Sequence, residues 1–242
     1  GWRYICYSRP GYAGSTTYEG RSVGDAAHDV ATILDHLGHD RFLVLGWSGG
    51  GPHALACAAL LPDRCAAAAT LGGVAPLDAK GLDWFAGMGP ENVEEFGIAA
   101  RTPADLPRWL EKQVPDLVAV TGSQVADMLG GLVDDVDRAA ITGESAEVLA
   151  EMFRRSVSTG IEGWRDDDYA FTRHWGFELA DITVPVSVWQ GAHDLMVPIA
   201  HGKWLAEHIP GARVHLYDDE GHLSLMAQMP RIVDDLRDLT AR

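Results

Sequence analysis

A serine held between glycines constrains the fold of this chain more than any other feature. Ser48 lies in LVLGWSGGGPHAL, residues 43–55, between an apolar run and an alanine-rich run. The apolar run Leu43–Leu45 predicts the end of a buried strand, and the alanine-rich run predicts a helix. Gly46 and Gly50 let the backbone bend sharply on either side of the serine. A strand, a very tight turn and a helix in this order predict an exposed, nucleophilic serine hydroxyl.

The acidic composition limits the partners of the protein. The 242 residues include 19 Lys and Arg against 35 Asp and Glu, which gives a formal net charge of −16. Nucleic acids and anionic membranes repel such a charge, so we expect neither as a partner. No apolar run has the length of a transmembrane helix, so we expect no insertion into a membrane.

The cysteines and histidines exclude several kinds of site. Cys6, Cys57 and Cys65 are an odd number of cysteines with no C-x-x-C pair, which indicates a reducing compartment and predicts a cytoplasmic location. The ten histidines form no H-E-x-x-H motif, and neither a G-x-G-x-x-G motif nor a P-loop is present. We therefore expect neither a metal nor a cofactor.

Apolar runs alternate with helical patterns along the chain, which is typical of a parallel α/β fold. The predicted strands are Tyr4–Tyr7, Phe42–Leu45, Cys65–Leu71, Pro185–Gln190 and Ala212–Tyr217. The predicted helices are Val23–Leu37, which ends at Gly38, a helix after Ser48, Pro198–His208 and a C-terminal helix that bears Leu225 and Leu239. We predict a mostly parallel, doubly wound sheet.

Residues 76–181 form a helical insertion between the strand that ends near Leu71 and the next predicted strand. Its helical patterns are separated by Gly and Pro, and it carries nine Lys and Arg against twenty-one Asp and Glu. The run Asp166–Asp168 within it favours a helix N-terminus. The chain therefore divides into a first core segment, the helical insertion and a second core segment, with bounds 1–75, 76–181 and 182–242.

An acid and a base follow two other predicted strands. Asp194 comes directly after the strand Pro185–Gln190, and His222 comes directly after Ala212–Tyr217. Both therefore lie beyond the carboxyl ends of strands, as Ser48 does, where open α/β sheets place their active sites. The chain order serine, aspartate, histidine predicts a nucleophile, an acid and a base. Ser48, Asp194 and His222 are the predicted catalytic residues.

Four segments together resemble one known family. SRPGYAGS at Ser8–Ser15 is similar to a D-R-P-G-x-G-x-S loop, with Ser8 where the family has Asp. GWSGG resembles the nucleophile elbow, GAHDLMVP the acid loop and EGH the histidine loop of the same family. The chain resembles the cap-bearing serine hydrolases of the α/β-hydrolase fold over its full length.

The resemblance implies a reaction and further site residues. The backbone N–H of Gly49 would donate to the oxyanion, helped by the dipole of the helix that follows. Trp47 would line the substrate pocket or pack in the core, and Trp84 is a second candidate for the pocket. The helical insertion would be a cap. The substrate would be an ester or amide, small, apolar and neutral or cationic, because the acidic insertion repels anions.

Several carboxylates and histidines compete with the predicted triad. Asp78 occupies a place that some members of the family use for the acid, whereas Asp218 and Asp219 are expected to shape a turn. His53 is expected to be packed or solvated. His193 is expected to point away from the site.

Two other functions stay open. Prolyl iminopeptidases hold a substrate amino group with cap carboxylates, for which Glu91, Glu94 and Glu95 are candidates. Against this alternative, GWSGG lacks the W-G-x-S order usual in those enzymes. A non-catalytic relative that binds a small molecule is the second alternative, because a fold alone does not decide function.

In the family, the strand that corresponds to Tyr4–Tyr7 is reached only after an earlier strand whose His-Gly loop supplies an oxyanion N–H. No such loop precedes Tyr4, and His201-Gly202 lies too late in the chain. A central strand leaves its neighbours' backbone groups unpaired when it is missing. We therefore expect an N-terminal segment, on a longer polypeptide or a separate piece, to complete the sheet.

Overall fold

The computed structural model describes residues 2–240, which form a parallel sheet with helices on both faces. The strands follow one another in the order β1-β2-β3-β4 and all pairs are parallel. They are β1 (Phe42–Trp47), β2 (Cys65–Leu71), β3 (Val186–Gly191) and β4 (Arg213–Tyr217). The predicted α/β class is confirmed.

The helices lie between and beyond these strands. In chain order they are α1 (Ala26–Leu37), α2 (Gly50–Leu60), α3 (Pro90–Arg101), α4 (Leu106–Ala119), α5 (Val125–Met128), α6 (Asp135–Ala140), α7 (Gly143–Ser156), α8 (Glu162–Phe171), α9 (Ile199–His208) and α10 (Met229–Leu239). Helices α3 to α8 all fall between β2 and β3. Across the described residues 2–240, no helix combines the length and the apolar character that crossing a membrane requires.

The alanine-rich strand β2 carries a hydrophobic core on each of its faces. Ala68 packs in one core with Leu55 of α2 and Leu205 of α9. Ala67, Ala69 and Leu71 pack in the other core with Ile232 and other residues of α10. Successive side chains of a strand point to opposite faces, so small residues on both sides let helices approach closely from each.

Helix α1 ends where the sequence predicts. A 3-10 turn, Val23–Asp25, precedes it, and Gly38 follows it with a left-handed backbone at φ 69°. The N–H of Gly38 donates to the carbonyl of Asp35. A left-handed residue after the last turn satisfies helix carbonyls that have no partner within the helix.

The prediction of a strand at Tyr4–Tyr7 is wrong. These residues lie outside every strand of the described sheet, and Tyr4 is 85% exposed. Aromatic and β-branched residues favour extended backbone, but a strand also needs a hydrogen-bonding neighbour, which this segment does not have among the described residues. Strand β1 is at one edge of the described sheet, and the N-terminal segment expected to complete it stays a prediction.

The prediction that Asp166–Asp168 start a helix is also wrong. The three aspartates lie inside α8, which begins at Glu162, and each is 2% exposed. Their carboxylates bind side chains instead of helix N–H groups: Asp166 pairs with the adjacent Arg165, whereas Asp167 binds partners from other elements. Asp167, for example, accepts hydrogen bonds from Arg21 and Tyr12. The run of three aspartates therefore lies at buried contacts in the middle of α8 and not at the start of the helix.

The left-handed residue after α1 predicts a specific stability change. We expect Gly38→Ala to lower the free energy of unfolding by about 1 kcal/mol, because a Cβ disfavours this backbone conformation. The Cβ itself meets open space, so no clash contributes. Urea unfolding measures the change. Gly14→Ala is the matched control, since it also has open space but lacks the left-handed backbone; equal effects of the two substitutions would contradict the prediction.

Candidate active site

Ser48 occupies a strained turn between β1 and α2. Its backbone φ is 54°, which places it in the left-handed region that residues other than glycine rarely adopt. The turn is tied down on both sides, since the N–H of Ser48 donates to the carbonyl of Leu71 at 2.8 Å and its carbonyl accepts from Gly51. A Cβ on Gly46 would lie 2.0 Å from the carbonyl oxygen of Gly50. A glycine at position 46, two residues before the serine, is therefore required for the turn to close.

Asp194 is buried at the end of β3 and is surrounded by donors. One carboxylate oxygen accepts the backbone N–H groups of Met196 and Val197, at 2.9 and 2.7 Å. The other accepts the side-chain amide of Gln190 at 2.8 Å and contacts Nδ1 of His222 at 2.7 Å. A buried carboxylate needs such donors to offset its loss of water. Its position is thereby fixed.

The contact with Asp194 determines the protonation of His222. An ionised carboxylate only accepts, so Nδ1 carries the proton and Nε2 of the neutral ring is free to accept one. Burial by itself lowers the pKa of His222, but the Asp194 carboxylate, with a further contribution from Asp137, raises the pKa above its ordinary value. The ring is therefore a stronger base than a free histidine.

The serine turn and the histidine meet through their neighbours. The indole N–H of Trp47 donates to the backbone carbonyl of His222 at 3.2 Å, and the two rings are 5.4 Å apart. A Cβ on Gly72, directly after β2, would lie 2.9 Å from Nδ1 of His222. Within residues 2–240, no hydrogen bond joins the hydroxyl of Ser48 to His222.

Gly49 stands at the N-terminus of α2, beside a residue of the helical insertion. A Cβ on Gly49 would lie 3.0 Å from the ring of Phe171 in α8. The carbonyl of Gly49 contacts Nδ1 of His53 at 2.8 Å, and burial, with the nearby Arg9, lowers the pKa of His53 to about 4. His53 is thus a packed, neutral residue.

Trp84 does not lie with these residues. Its side chain is 3% exposed in the hydrophobic core, and its indole N–H donates to the carbonyl of Ala75 at 2.7 Å. The buried ring of His201 packs against it. The core surrounds both the ring and its polar atom, and the expected contact of Trp84 with substrate stays a prediction.

Among residues 2–240, neither the competing acids nor His193 forms a hydrogen bond with the imidazole of His222. Asp78, Asp218 and Asp219 are exposed, so none of them shares the burial of His222. His193, next to the acid in sequence, contacts Asp134 of the helical insertion through Nδ1 at 2.7 Å.

The three glutamates considered for an aminopeptidase diverge. Glu91 accepts the N–H of Gly131 at 2.9 Å, and Glu94 is exposed. Glu95 accepts the indole N–H of Trp164 and shares a hydrogen bond with Asp168. Burial raises the pKa of Glu95 to about 7, and burial together with Glu95 raises that of Asp168 well above its ordinary value. The two raised pKa values favour a proton on this pair, and the pair does not converge with the other glutamates.

Asp134 and Asp137 are site residues that the sequence did not indicate. Asp137 accepts the backbone N–H of His222, and Asp134 binds His193 beside the acid. Their spacing in VDDVDR is typical of a helix N-cap, which Asp134 also provides for α6. No local pattern links them to residues more than fifty positions away.

In the described part of the chain, no group of three or more metal-ligating side chains is arranged to hold an ion.

A model of the alpha/beta hydrolase fold matches residues 1–227. The chain belongs to the alpha/beta hydrolase fold family. It is 28% identical over 194 residues to a pimeloyl-[acyl-carrier protein] methyl ester esterase of Aromatoleum aromaticum, with 78% of this chain and 69% of the relative covered. It is 26% identical to a 2-hydroxy-6-oxononadienedioate/2-hydroxy-6-oxononatrienedioate hydrolase of Burkholderia vietnamiensis, over 92% of this chain and 70% of the relative.

Solved structures agree on the fold. A bromoperoxidase from Bacillus anthracis superposes with a TM-score of 0.69 at 20% identity, covering 98% of this chain and 80% of that protein. The named curated relatives are hydrolases, which supports hydrolase chemistry on this alpha/beta fold.

The pair formed by half-buried Glu95 and buried Asp168 predicts how stability depends on pH. The folded protein holds their proton more tightly than the unfolded chain, so the free energy of unfolding falls as pH rises from the ordinary pKa of glutamate toward about 7. Glu95→Gln keeps the bond to Trp164 and can donate to Asp168. We expect it to reduce this loss by roughly 1–3 kcal/mol.

Urea unfolding at about pH 5 and about pH 8 measures the effect over the window that the raised pKa defines. Glu94→Gln, an exposed neighbour on the same helix, is the matched control. If the wild type and Glu95→Gln lose the same free energy of unfolding between the two pH values, Glu95 and Asp168 do not share a proton.

Proposed function

We propose that this protein is a serine hydrolase that cleaves an ester or amide through an acyl-enzyme on Ser48. The observation that carries the proposal is the 2.7 Å contact between buried Asp194 and His222. Two facts about the serine support it: the backbone of Ser48 is left-handed, and Trp47, the residue before it, donates to the backbone carbonyl of His222. Strain of this kind is costly and persists where the surrounding structure holds it, which is common at active sites.

In the proposed reaction, Ser48 Oγ attacks the substrate carbonyl carbon while Nε2 of His222 takes the hydroxyl proton. Asp194 orients the imidazole and stabilises its positive charge. The tetrahedral oxyanion accepts a hydrogen bond from the backbone N–H of Gly49, at the positive end of α2. The intermediate expels the alcohol or amine, which receives the proton from His222, and leaves the acyl group on Ser48. Water, deprotonated by His222, then releases the acid and restores the serine.

We assign residues 76–181 as a cap over this site, between core segments 1–75 and 182–242. Contacts of the helical insertion with the site support the assignment. Phe171 lies against Gly49, and Asp137 binds the histidine loop. Trp47 is half-buried beside His222, where it would border the substrate.

The reaction is tested by covalent labelling and turnover. A fluorophosphonate should label the wild type, and labelling should vanish in Ser48→Ala and persist in Ser123→Ala, an exposed control serine. Asp194→Asn should lower turnover of a p-nitrophenyl ester by roughly 10⁴-fold, because the imidazole then adopts the wrong tautomer. Asp78→Asn is the exposed control. Labelling that survives Ser48→Ala would overturn the proposal, and saturable ligand binding without turnover would indicate the non-catalytic alternative.

The proposed substrate is small, apolar and neutral or cationic. The helical insertion bears twenty-one acidic against nine basic residues, and a negative field disfavours anions. The methyl ester in one relative's name fits a neutral reacting group, whereas the dioate in the other's name is an anion.

Turnover of two esters that differ only in a distal carboxylate decides between a neutral and an anionic substrate. We expect a higher kcat/KM for the neutral ester, with the difference shrinking at high salt because salt screens the field of the protein. A preference for the carboxylate-bearing ester would contradict the neutral substrate while leaving the reaction itself in place.

A further inference from the structure

We propose that Asp137, on α6 of the helical insertion, is a positioning residue that holds the backbone of the histidine loop for the reaction proposed above. The inference rests on that function for its catalytic meaning. Its structural basis is a set of contacts between the insertion and residues 222–224.

Both oxygens of Asp137 bind this loop. Oδ2 accepts the backbone N–H of His222 at 2.8 Å. Oδ1 accepts the N–H groups of Leu223 and Ser224 at 2.8 and 2.9 Å. The aspartate is 0% exposed, and a Cβ on Gly221 would lie 2.4 Å from its Oδ1. Three consecutive donors therefore converge on one carboxylate.

The Asp137 carboxylate supplies acceptors for backbone N–H groups that the histidine loop leaves without a partner. A 3-10 turn, Ser224–Gln228, begins directly after His222 and Leu223. The first N–H groups of a helical turn have no partner within it and need an external acceptor. The carboxylate that provides it comes from a helix more than eighty residues earlier, so the backbone conformation of His222 depends on where α6 lies.

The same helix also holds the acid loop. Asp134, the N-cap of α6, contacts Nδ1 of His193 at 2.7 Å, and the N–H of His193 donates to the carbonyl of Glu220. One short helix thereby binds the residue before Asp194 and the residues from His222 onward. Asp194 sets the rotation of the imidazole, and Asp137 sets the backbone from which the ring extends.

The groups that face the imidazole define its electrostatics. Asp194 from the acid loop lies against Nδ1, and Asp137 from α6 adds a second negative charge; the ring of Trp47 is uncharged. Loss of the Asp137 charge should therefore lower the pKa of His222. A side chain that only filled space would leave that pKa unchanged.

Asp137→Asn tests the inference, because it conserves shape but removes the charge and replaces one acceptor with a donor. We expect kcat to fall by roughly 10²-fold with KM little changed, since small displacements of a catalytic group cost this much. The acidic limb of the pH–kcat/KM profile, along which His222 loses its proton and becomes able to act as the base, should move to lower pH. Asp135→Asn is the matched control, as Asp135 is exposed on the same helix and makes the same change of charge.

Two measurements do not depend on turnover. NMR titration should give a lower pKa for the His222 ring in Asp137→Asn than in Asp135→Asn, whether or not the wild type is active. Hydrogen exchange in the wild type should be slow at the amides of residues 222–224, which decides the matter if Asp137→Asn does not fold. Equal ring pKa and kcat in the two variants, or fast exchange at these amides, would overturn the inference. Failure of fluorophosphonate labelling would instead overturn the proposed reaction.

Discussion

A carboxylate removed from water at the end of β3 is the constraint on which the rest of the site depends. Asp194 is 2% exposed, and a buried charge is stable only when donors surround it. Gln190, Met196 and Val197 supply three of them and fix the loop after the strand. The fourth is His222, from the loop after β4. The histidine is therefore held in one orientation because the aspartate requires it.

The helical insertion is joined to the core by buried aspartates. Asp137 binds the histidine loop, and Asp167 accepts hydrogen bonds from Arg21 at 2.5 Å and Tyr12 at 2.8 Å near the N-terminus. Asp167 also pairs with Arg9, and these cations hold its pKa well below the ordinary value although burial opposes them. The acidic composition of the insertion thus has two parts, exposed charges that shape the field and buried ones that attach it to the fold.

Much of the core could be predicted because its signals are local. Strand β2 was predicted with the bounds it has, and the end of α1 followed from Gly38. The prediction of a strand at Tyr4–Tyr7 was wrong because an aromatic, β-branched run shows only that extended backbone is favourable. It does not show which neighbour is available to pair with a strand.

The sequence by itself determined the alternation of strands and helices, the tight turn at Ser48 and the order of the three candidate catalytic residues. Each of these rests on hydrophobic period, glycine placement or position relative to a strand end, which act over a few residues. Only the tertiary structure decided that Asp137 binds the loop of His222 and that Glu95 lies against Asp168. Those contacts join residues more than seventy positions apart, and only the packed chain brings such distant side chains within hydrogen-bonding distance.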